Sequence, residues 1–544
     1  MTAFAQSNRQ FVGWGREISW RTLPELIRTL AKERGDRHAT EIDGRRLTYG
    51  ELDSVSDSIA AALAELDIGK GDRVASLLFN SAEAVLLWLG AAKIGAVWTP
   101  LNVGLVGNDL AYAISDCEAR LIVVDPDNAA KLDHDAVRSQ LPDLRYATRE
   151  PRDGFRPFDE LLAGGGEPSR STVFASDAAL IIYSGGTTGM PKGVVLPHFA
   201  CVAAGLRTVE ALELTADDHY FAIGQLFHVG GLFCAFLGPL IAGSASTIDR
   251  RFSLSNYWRR VRETSATVID PIGVVLTLLC QQPFSEQDRN HRVRIALGVT
   301  AGTPEHIPAE FSRRFGIPLL NLYSLTEAGG AMIVHNVIGS TRPEAHGKAW
   351  GWAEIAILDD EDRPLPQGTI GEIALRPNYP FIFMTGYFND PKRTLETTAN
   401  LWLHTGDLGH LDEDGFLHFR GRQAHWLRRR GENISAYEVE ETLSAFPGVA
   451  EVAVVGVPSE LGDEEVKAFI VPEPFASIDF VELCFWAAER MAPFKTPRFV
   501  ELVEALPRSA AKNEVERHKL KARTNDRAWD REAVLGRSLE RPKW

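Results

Sequence analysis

The residues best suited to chemistry lie in one run, S-G-G-T-T-G-M-P-K-G, at positions 184–193. The hydroxyl groups of Ser184, Thr187 and Thr188 and the ammonium group of Lys192 can all donate hydrogen bonds to phosphate oxygens. Glycines such as Gly189 let the backbone approach a ligand closely and turn its N–H groups inward. Gly-Lys-Ser/Thr does not follow the gap that a Walker A loop requires. The run therefore predicts a phosphate loop of another kind, placed after the apolar strand 178–183.

Two more runs carry side chains that suit a nucleotide. Y-S-L-T-E at 323–327 follows a predicted strand, and its carboxylate, Glu327, is a hard oxygen ligand of the kind that Mg²⁺ prefers. W-L-H-T-G-D at 402–407 ends on Asp407, which can accept hydrogen bonds from both hydroxyls of a ribose, and Arg422 can reach the same sugar. Each of these features is common in proteins that bind no nucleotide: a Thr-Glu pair at the end of a strand, an aspartate in a turn or an arginine on the surface. Their order along the chain favours a nucleotide site.

Together these runs resemble the motifs of the acyl-adenylate-forming superfamily, which includes acyl-CoA synthetases, carrier-loading adenylation domains and luciferases. A fourth run, R-G-E-N-I-S at 430–435, resembles the loop that swings in for the thioester-forming half-reaction. The resemblance covers residues 20–520, and the stretch 278–294 is most similar to carnitine-type acyl-CoA synthetases. The arginines at 428–430 are candidate contacts for the phosphates of CoA.

The resemblance also implies roles for individual residues. Tyr323 is expected against the adenine, Thr326 on the α-phosphate and Glu327 on Mg²⁺. Asp407 and Arg422 are expected on the ribose. The other residues that it places around the AMP moiety or ATP belong to the phosphate loop and to a loop beside the adenine: Ser184, Thr187, Thr188, Gly189, Lys192, Gly302 and Thr303. The catalytic set that it implies is Thr326, Glu327, Gly431 and Lys512.

The acyl group is expected near F-H-V-G-G at 227–231, which resembles the aromatic-histidine element of the family's acyl pocket. We assign His228 to the wall of this pocket and not to proton transfer. Many expected wall residues are small and leave room, which favours a bulky, mostly apolar carboxylic acid over acetate. No acidic residue stands out in these segments to pair with a cationic substrate. The expected wall comprises Phe227, His228, Gly230, Gly231, Gly298, Ala301, Ala328 and Gly329.

The sequence departs from the family at one lysine, which contacts the carboxylate and the α-phosphate during adenylation. Aligned from Val515 that position is Glu514, aligned from Pro507 it is Asn513, and Lys512 is the nearest lysine in either register. Removing such an electrostatic donor typically costs about 3–4 kcal/mol. An anion in place of the lysine adds an electrostatic penalty to adenylation of about 4 kcal/mol, for two like charges ~4 Å apart at an effective dielectric near 20. Two extended residues displace Lys512 by about 7 Å, which is comparable with its side-chain reach.

The loss falls on the step that consumes ATP, while the residues expected to hold AMP are retained. Two further departures from the family also suggest weakened adenylation. Ala424 stands where the family usually has Asp or Lys, and Gly185 stands where the phosphate loop often has serine. We therefore expect an acyl-CoA ligase that mainly joins CoA to an acyl-adenylate supplied by a separate adenylating enzyme. Two alternatives stay open: a complete ATP- and Mg²⁺-dependent synthetase that uses Lys512, and a non-catalytic protein that binds acyl-adenylates. A pantetheinylated carrier protein in place of CoA also stays open.

The bulk composition narrows the class of protein. The 544 residues carry a net charge of −15, which argues against a nucleic-acid binder and against docking on an anionic membrane. Five scattered cysteines suggest neither a disulfide framework nor a zinc site. The polar N-terminus lacks a signal-peptide core, and no apolar stretch reaches the ~18 residues that span a bilayer. A cytoplasmic enzyme without a membrane partner is expected.

The motifs require elements that bring them to one place. Alternation of apolar strands with helices over 73–125 and 267–323 predicts an α/β fold with parallel sheets covered by helices. From residue 354 the pattern changes to hairpins, in which 354–358 pairs with 371–375 and 408–410 pairs with 416–419, giving a barrel-like antiparallel section. We expect an N-terminal AMP- and acyl-binding domain over 1–420, a mobile C-terminal α+β domain over 421–525 and a tail over 526–544.

Overall fold

The computed structural model describes residues 11–13, 16–165, 172–186, 189–271, 274–298, 306–338, 342, 345–422, 426–429, 432–458, 464–491, 495–509 and 514–535. The strands in these ranges are β1 (Phe11–Gly13), β2 (Arg16–Ile18), β3 (His38–Ile42), β4 (Arg45–Thr48), β5 (Arg73–Leu77), β6 (Val97–Pro100), β7 (Leu121–Val124), β8 (Leu144–Ala147), β9 (Arg156–Pro157), β10 (Ala178–Gly186), β11 (Gly189–Pro197), β12 (His219–Ala222), β13 (Ala245–Ile248), β14 (Val268–Ile269), β15 (Ile295–Gly298), β16 (Leu319–Tyr323), β17 (Val334–His335), β18 (Ala353–Leu358), β19 (Gly371–Pro377), β20 (Gly386–Tyr387), β21 (Leu403–Leu411), β22 (Leu417–Arg422), β23 (Trp426–Arg429), β24 (Glu432–Ser435), β25 (Val449–Pro458), β26 (Glu464–Pro472), β27 (Phe499–Leu502) and β28 (Trp529–Asp530).

The α-helices of the same ranges are α1 (Leu23–Arg34), α2 (Tyr49–Glu65), α3 (Ala82–Lys93), α4 (Gly107–Asp116), α5 (Pro126–Ala129), α6 (Asp135–Arg138), α7 (Asp159–Leu162), α8 (His198–Leu212), α9 (Gly238–Ala242), α10 (Tyr257–Glu263), α11 (Val274–Cys280), α12 (His306–Phe315), α13 (Pro391–Thr397), α14 (Ala436–Ser444), α15 (Phe480–Ala488), α16 (Arg517–Lys521) and α17 (Arg531–Leu535). A π-helix spans Gly230–Leu237, and short 3₁₀ turns include Thr326–Ala328.

Two large sheets form the body of the N-terminal part. One runs in the order β20-β11-β10-β6-β5-β7-β8-β9, and the other in the order β17-β16-β15-β14-β12-β13-β3-β4. The strands β12 to β16 that pair in the second sheet are parallel, so their carboxyl ends meet at one edge. This confirms the predicted α/β class. It also places the Y-S-L-T-E run, which follows β16, at that edge.

Local sequence explains the helices that cover these sheets. Thr48 caps α2 in a capping box with Glu51, as the T-Y-G-E sequence requires. α3 is buried on nearly all sides, and its Lys93 satisfies its charge with Asp53 at 2.5 Å and Asp57 at 2.7 Å on α2. Among the described residues, no helix is both long and apolar enough to cross a bilayer.

The antiparallel section follows the predicted hairpins. β18, β19, β21 and β22 form a four-stranded sheet in that order, with Ile355 opposite Leu375 and His410 opposite His418. The C-terminal part is the predicted α+β unit, a sheet in the order β25-β26-β27-β28 with α14 and α15 beside it. The segment expected as a tail contributes β28 to this sheet, and the buried Arg531 donates to the carbonyl of Pro497 at 3.0 Å.

The run expected as a phosphate loop is more regular than predicted. β10 extends through Gly186 and β11 begins at Gly189, so that Tyr183 pairs with Gly193 and Ser184 with Lys192. The loop expectation for 183–193 was therefore wrong at both ends. Glycines are weak predictors of strand, which is why the sequence indicated a loop here.

Candidate active site

A cavity of about 460 Å³ lies where the β10–β11 hairpin, the loop after β16 and the β21–β22 ladder converge. Six residues predicted for the nucleotide or for catalysis line it together: Ser184, Lys192, Thr326, Glu327, Asp407 and Arg422. The remaining lining residues are Val229, Ser324, Leu325, Glu372, Tyr387, Glu396, Thr397, His404, Thr405 and Gly406. The structure thus joins three sequence runs that are far apart in the chain.

The hairpin presents a cation to this cavity. Ser184 and Lys192 lie opposite each other in the β10–β11 register, and Lys192 Nζ lies 5.2 Å from the centroid of the Tyr387 ring. Burial, with a further contribution from the positive charge of Arg393, lowers the pKa of Lys192. A partly desolvated ammonium of this kind is suited to an anionic ligand such as a phosphate.

The loop after β16 presents Glu327 to the same cavity. Its Oε1 accepts a hydrogen bond of 2.9 Å from the hydroxyl of Tyr387, and its backbone carbonyl accepts one of 2.9 Å from Met384 N–H. The chain can turn sharply here because Gly329 and Gly330 both adopt positive φ, +74° and +75°. Tyr387 and Met384 had no sequence signal, since they come from a distant segment.

Asp407 is the best-anchored acid of the site. It lies opposite Arg422 in the β21–β22 ladder, with Arg422 Nε 2.9 Å from its Oδ1. The hydroxyl of Tyr323 donates to its Oδ2 at 2.7 Å. Burial raises the pKa of Asp407, and the charge of Arg422 and the hydrogen bond from Tyr323 oppose that rise. The structure therefore brings together three residues that the resemblance assigns to the nucleoside.

Glu372 fixes the turn that leads to Asp407, and sequence reasoning missed it. Its carboxylate accepts from Gly406 N–H at 2.9 Å and lies 2.8 Å from His404 Nδ1. The backbone N–H of Asp407 in turn donates to the Thr405 hydroxyl at 3.1 Å. The sequence H-T-G-D could have suggested a structured turn. Nothing in the sequence indicates that this turn contacts a glutamate on β19.

Glu514 of the C-terminal part acts on the same arginine. Burial acts to lower the pKa of Arg422. The negative charges of Asp407, Glu514 and Glu327 and the oxygen of Tyr323 outweigh burial, so the pKa is raised. The Glu514 carbonyl accepts from Ser509 N–H at 2.8 Å, and Arg508 faces Val515, so Glu514 lies at the base of a turn. Lys512 lies outside the described residues.

The described residues expected in the acyl wall do not themselves line this cavity, although their chain neighbours Val229 and Glu327 do. Phe227 is buried in one apolar cluster with Tyr183, and its ring centroid is 4.6 Å from that of His228. Ala328 is fully buried. A Cβ on Gly329 would lie 2.0 Å from the Ile382 carbonyl oxygen. Most of these small residues therefore let neighbouring chain segments pack closely, and they do not leave room for a ligand.

Two glycines of the expected wall behave differently from each other. A Cβ on Gly231 would lie 2.4 Å from the Gln225 carbonyl oxygen, whereas a Cβ on Gly230 would meet nothing within 4 Å. A Cβ on Gly298 would meet the Leu319 side chain at 2.7 Å. Open space thus borders Gly230 alone among the glycines of the wall that the structure describes.

Several expected site residues cannot be placed. Gly189 is described only as backbone of β11. The arginine run at 428–430 is described in part: Arg429 is buried, with its Nε 2.6 Å from Glu465 Oε2, so this arginine serves the interior of the C-terminal part and not CoA. The residues that lie outside the described ranges are Thr187, Thr188, Ala301, Gly302, Thr303, Gly431 and Lys512.

Comparison with known proteins gives consistent matches over most of the chain. The AMP-binding enzyme family matches residues 27–388, and the AMP-binding enzyme C-terminal domain matches residues 438–513. A crotonobetaine/carnitine–CoA ligase of Salmonella enteritidis is 32% identical over 519 residues, which cover 91% of this chain and 98% of that protein.

Solved structures show the same similarity. The anthranilate–CoA ligase AuaEII in complex with anthranoyl-AMP superposes with a TM-score of 0.82 at 25% identity, covering 92% of this chain and 96% of that one. ATP-bound MatB of Rhodopseudomonas palustris gives a TM-score of 0.82 at 28% identity, with 92% and 98% coverage. Both domains of the chain thus have solved relatives with a nucleotide or an acyl-adenylate bound.

Proposed function

Since the chain belongs to the AMP-binding enzyme family and is an acyl-CoA ligase of the kind that works through an acyl-adenylate, we propose that it mainly performs the second half-reaction. In that reaction CoA attacks an acyl-adenylate and releases acyl-CoA and AMP. The observation that supports the proposal is Glu514, which stands at the family's lysine position in the register counted from Val515 and whose negative charge is among those that raise the pKa of Arg422.

The charge balance of the cavity supports this division of labour. Two cations, Lys192 and Arg422, line the cavity together with four carboxylates, those of Glu327, Glu372, Glu396 and Asp407. Adenylation must bring an anionic carboxylate against an anionic triphosphate. Without a further cation, repulsion between the two anions opposes this approach. One missing electrostatic donor typically raises the barrier by about 3–4 kcal/mol. In the register counted from Val515, Glu514 would put a negative charge where the family has that cation.

Thioester formation makes smaller electrostatic demands. The CoA thiol loses its proton to solvent and its sulfur forms a bond to the carbonyl carbon of the mixed anhydride. The bond from that carbon to the phosphate oxygen breaks, and AMP leaves with the electron pair. The phosphate is a good leaving group, so positioning accounts for most of the catalysis. Asp407, Tyr323 and Arg422 would hold the nucleoside, and the loop with Gly431 would border the CoA arm.

A complete synthetase that uses Lys512 is the second candidate, and the residues for a metal are compatible with it. Glu327 offers a carboxylate to the cavity beside Thr326 and Ser184, a hard-oxygen set that fits Mg²⁺ bound mostly by phosphates and water. Among the described residues, no cluster of three or more ligating side chains forms a cage for a metal. Mg²⁺, when bound with ATP, would offset the charge of the phosphates.

The acid stays predicted to be bulky and mostly apolar, and a separate enzyme would have to supply its adenylate. Open space beside Gly230 supports the size, because a larger acyl group needs unfilled volume there. A non-catalytic protein would bind the same AMP ester without yielding a thioester. The cytoplasmic location and the independence from membranes and nucleic acids also stay predictions.

Glu514→Lys tests the proposal directly. It is expected to raise ATP–pyrophosphate exchange by about 10²–10³-fold, because it restores the cation that adenylation lacks. Glu504→Lys is the matched control, since Glu504 is an exposed glutamate of the same C-terminal part. No gain in Glu514→Lys, or an equal gain in Glu504→Lys, would contradict the proposal.

A further inference from the structure

The end of the described chain carries three consecutive charged residues that the nucleotide site does not use. Asp530 ends β28, and Arg531 and Glu532 begin α17. They follow the stretch 438–513 that matches the C-terminal domain of the family, so that match assigns them no role. An appended tail is normally exposed and poorly ordered. Here Arg531 is only 2% exposed, so the segment requires another explanation.

The segment is fixed to the C-terminal sheet and to the hairpin β23–β24. β28 pairs with β27 in an antiparallel register, and the backbone N–H of Arg531 donates to the Arg498 carbonyl at 2.8 Å. Trp529 packs against the apolar cluster that contains Leu427 of β23 and Ile434 of β24. The appended segment therefore shares its core with the hairpin.

The hairpin β23–β24 forms a two-stranded sheet of its own and carries the loop expected to serve thioester formation. Arg429 lies opposite Glu432 in the ladder, so it directly precedes the turn that contains Gly431. Two carboxylates hold its guanidinium group: Nε lies 2.6 Å from Glu465 Oε2 on β26, and Nη2 lies 3.4 Å from Glu532 Oε1 on α17. These three charged side chains are each at most 9% exposed. Arg429 thus ties the hairpin to the appended segment.

Arg429 belongs to a larger ion-pair network, in which the appended segment supplies half of the charges. Arg498, just before β27, lies 3.3 Å from Asp530 and 3.8 Å from Glu465. Buried charges are costly unless they are paired, and removing one partner leaves an uncompensated charge. Without residues 530–532, two arginines would face one carboxylate. The complete network is neutral and consists of Arg429, Arg498, Arg531, Glu465, Asp530 and Glu532.

Such a network is better suited to fixing a geometry than to adding stability. Buried ion pairs are often no more stabilising than apolar residues of similar volume, and their best-attested use is to select one arrangement of the elements that they join. The elements joined here are β23, β26 and α17. A turn that takes part in catalysis must be held within about 0.5 Å of its productive position. The network therefore acts where positional precision is needed.

We propose that the appended segment positions the hairpin β23–β24 for thioester formation, and that Glu532 is a positioning residue that acts through Arg429. Glu532 itself contacts neither the adenylate nor CoA in this assignment. This role rests on the proposed function, because the hairpin is expected to serve the step in which CoA attacks the adenylate. It holds equally for a complete synthetase, since that enzyme would form the thioester by the same step.

Glu532→Gln tests the assignment in the full-length protein, because it keeps the shape of the side chain and removes its charge. Peptide-resolved hydrogen exchange would compare residues 426–435 in the wild type and the variant. The hairpin amides of the variant are expected to exchange about 10-fold faster, because a hydrogen bond to a charged partner is weakened. β25 lies at the opposite edge of the sheet from β28 and should keep its wild-type exchange.

The same variant is expected to form thioester from a synthetic acyl-adenylate and CoA about 10-fold more slowly, because the turn is displaced. Its affinity for AMP, measured by calorimetric titration, should equal that of the wild type. The residues expected to hold the nucleoside, Asp407 and Tyr323, lie in the N-terminal part of the chain. The two readouts together separate a displaced hairpin from a general loss of structure.

Two further variants separate positioning from other effects of the charge. Glu504→Gln makes the same change at an exposed glutamate of the C-terminal part and should alter neither readout. Arg429→Gln should also slow thioester formation. The double variant with Glu532→Gln should be no slower than Arg429→Gln alone, because Glu532 acts only through Arg429. Losses that add in the double variant would contradict this route.

Wild-type hydrogen exchange in the hairpin of Glu532→Gln, or an unchanged rate of thioester formation, would overturn the inference. Faster exchange in β25 as well as in the hairpin would also overturn it, because Glu532 would then act on general stability. Absence of thioester from every adenylate in the wild type would count against the proposed function instead. Hydrogen exchange would in that case still decide whether Glu532 holds the hairpin.

Discussion

Arg422 pairs with Asp407 across the β21–β22 ladder, with 2.9 Å between Arg422 Nε and Asp407 Oδ1. The hydroxyl of Tyr323 holds the other carboxylate oxygen at 2.7 Å. Glu514, from the C-terminal part of the chain, contributes negative charge to the same arginine. The charges that raise the pKa of Arg422, a residue predicted to contact the ribose, therefore come from both parts of the chain.

Asp407→Ala is expected to weaken AMP binding by about 1.5–3 kcal/mol, because hydrogen bonds to a charged acceptor are lost. Isothermal titration with AMP measures the change. Tyr323→Phe removes one donor to the same carboxylate and should cost less, about 1 kcal/mol. AMP affinity equal to the wild type in Asp407→Ala would contradict the assignment of this residue to the ribose.

Lys192→Ala is expected to slow thioester formation from an acyl-adenylate less than Asp407→Ala does. The resemblance gives the hairpin that carries Lys192 its main use during adenylation, whereas it expects Asp407 to hold the nucleoside in both half-reactions. Initial rates of acyl-CoA formation from a synthetic adenylate give the comparison. A larger loss for Lys192→Ala would show that the hairpin is still essential after adenylation.

Asp270→Asn is expected to change how stability depends on pH. Burial raises the pKa of Asp270 to about 8 in the folded protein. Between about pH 4 and 8 the folded state therefore binds more protons at this group than the unfolded state, and its contribution to stability falls as pH rises. The variant, measured by urea unfolding, should lose less stability than the wild type over this window. The unfolding free energy of the wild type minus that of the variant should decrease from pH 5 to pH 8, and a constant difference would contradict the shift.

Gly329→Ala and Gly230→Ala form a matched pair. Gly329 has φ +74° and a Cβ there would lie 2.0 Å from the Ile382 carbonyl oxygen, so this variant is expected to lose about 1–3 kcal/mol of stability. Gly230 has open space at its Cβ position, so its variant should keep its melting temperature. If Gly230 lines the acyl pocket, Gly230→Ala should instead raise KM for a bulky acyl-adenylate. The reverse pattern of stability would contradict the packing described.

The residues predicted from the sequence are those whose signal is local. Ser184 and Lys192 belong to one hairpin, Thr326 and Glu327 to one turn, and Asp407 to one strand. Their residue types within these short segments were therefore enough to predict nucleotide binding. The fold class followed in the same way, because apolar strands alternate with helices along the chain. The hairpin itself was not predicted, since glycine-rich runs read as loops until a partner strand is known.

What the sequence could not show is long-range pairing. Glu327 and Tyr387 are 60 residues apart in the chain, and Glu372 is 34 residues from Gly406. The buried Asp270 was not singled out from the sequence, because it follows a two-residue strand whose neighbours are known only from the sheet order. Arg429 was a candidate contact for the phosphates of CoA, but it is paired with Glu465 on a separate strand.

The most direct measurement compares two routes to acyl-CoA with the same acid under the same conditions. One reaction supplies the free acid, ATP, Mg²⁺ and CoA, and the other supplies the synthetic acyl-adenylate and CoA. Because the family's adenylation lysine is predicted to be replaced by Glu514 or Asn513, the wild-type protein is expected to turn over the adenylate at least about 10²–10³-fold faster than the acid with ATP. Comparable turnover by the two routes would contradict the restriction to thioester formation and would favour a complete synthetase that uses Lys512.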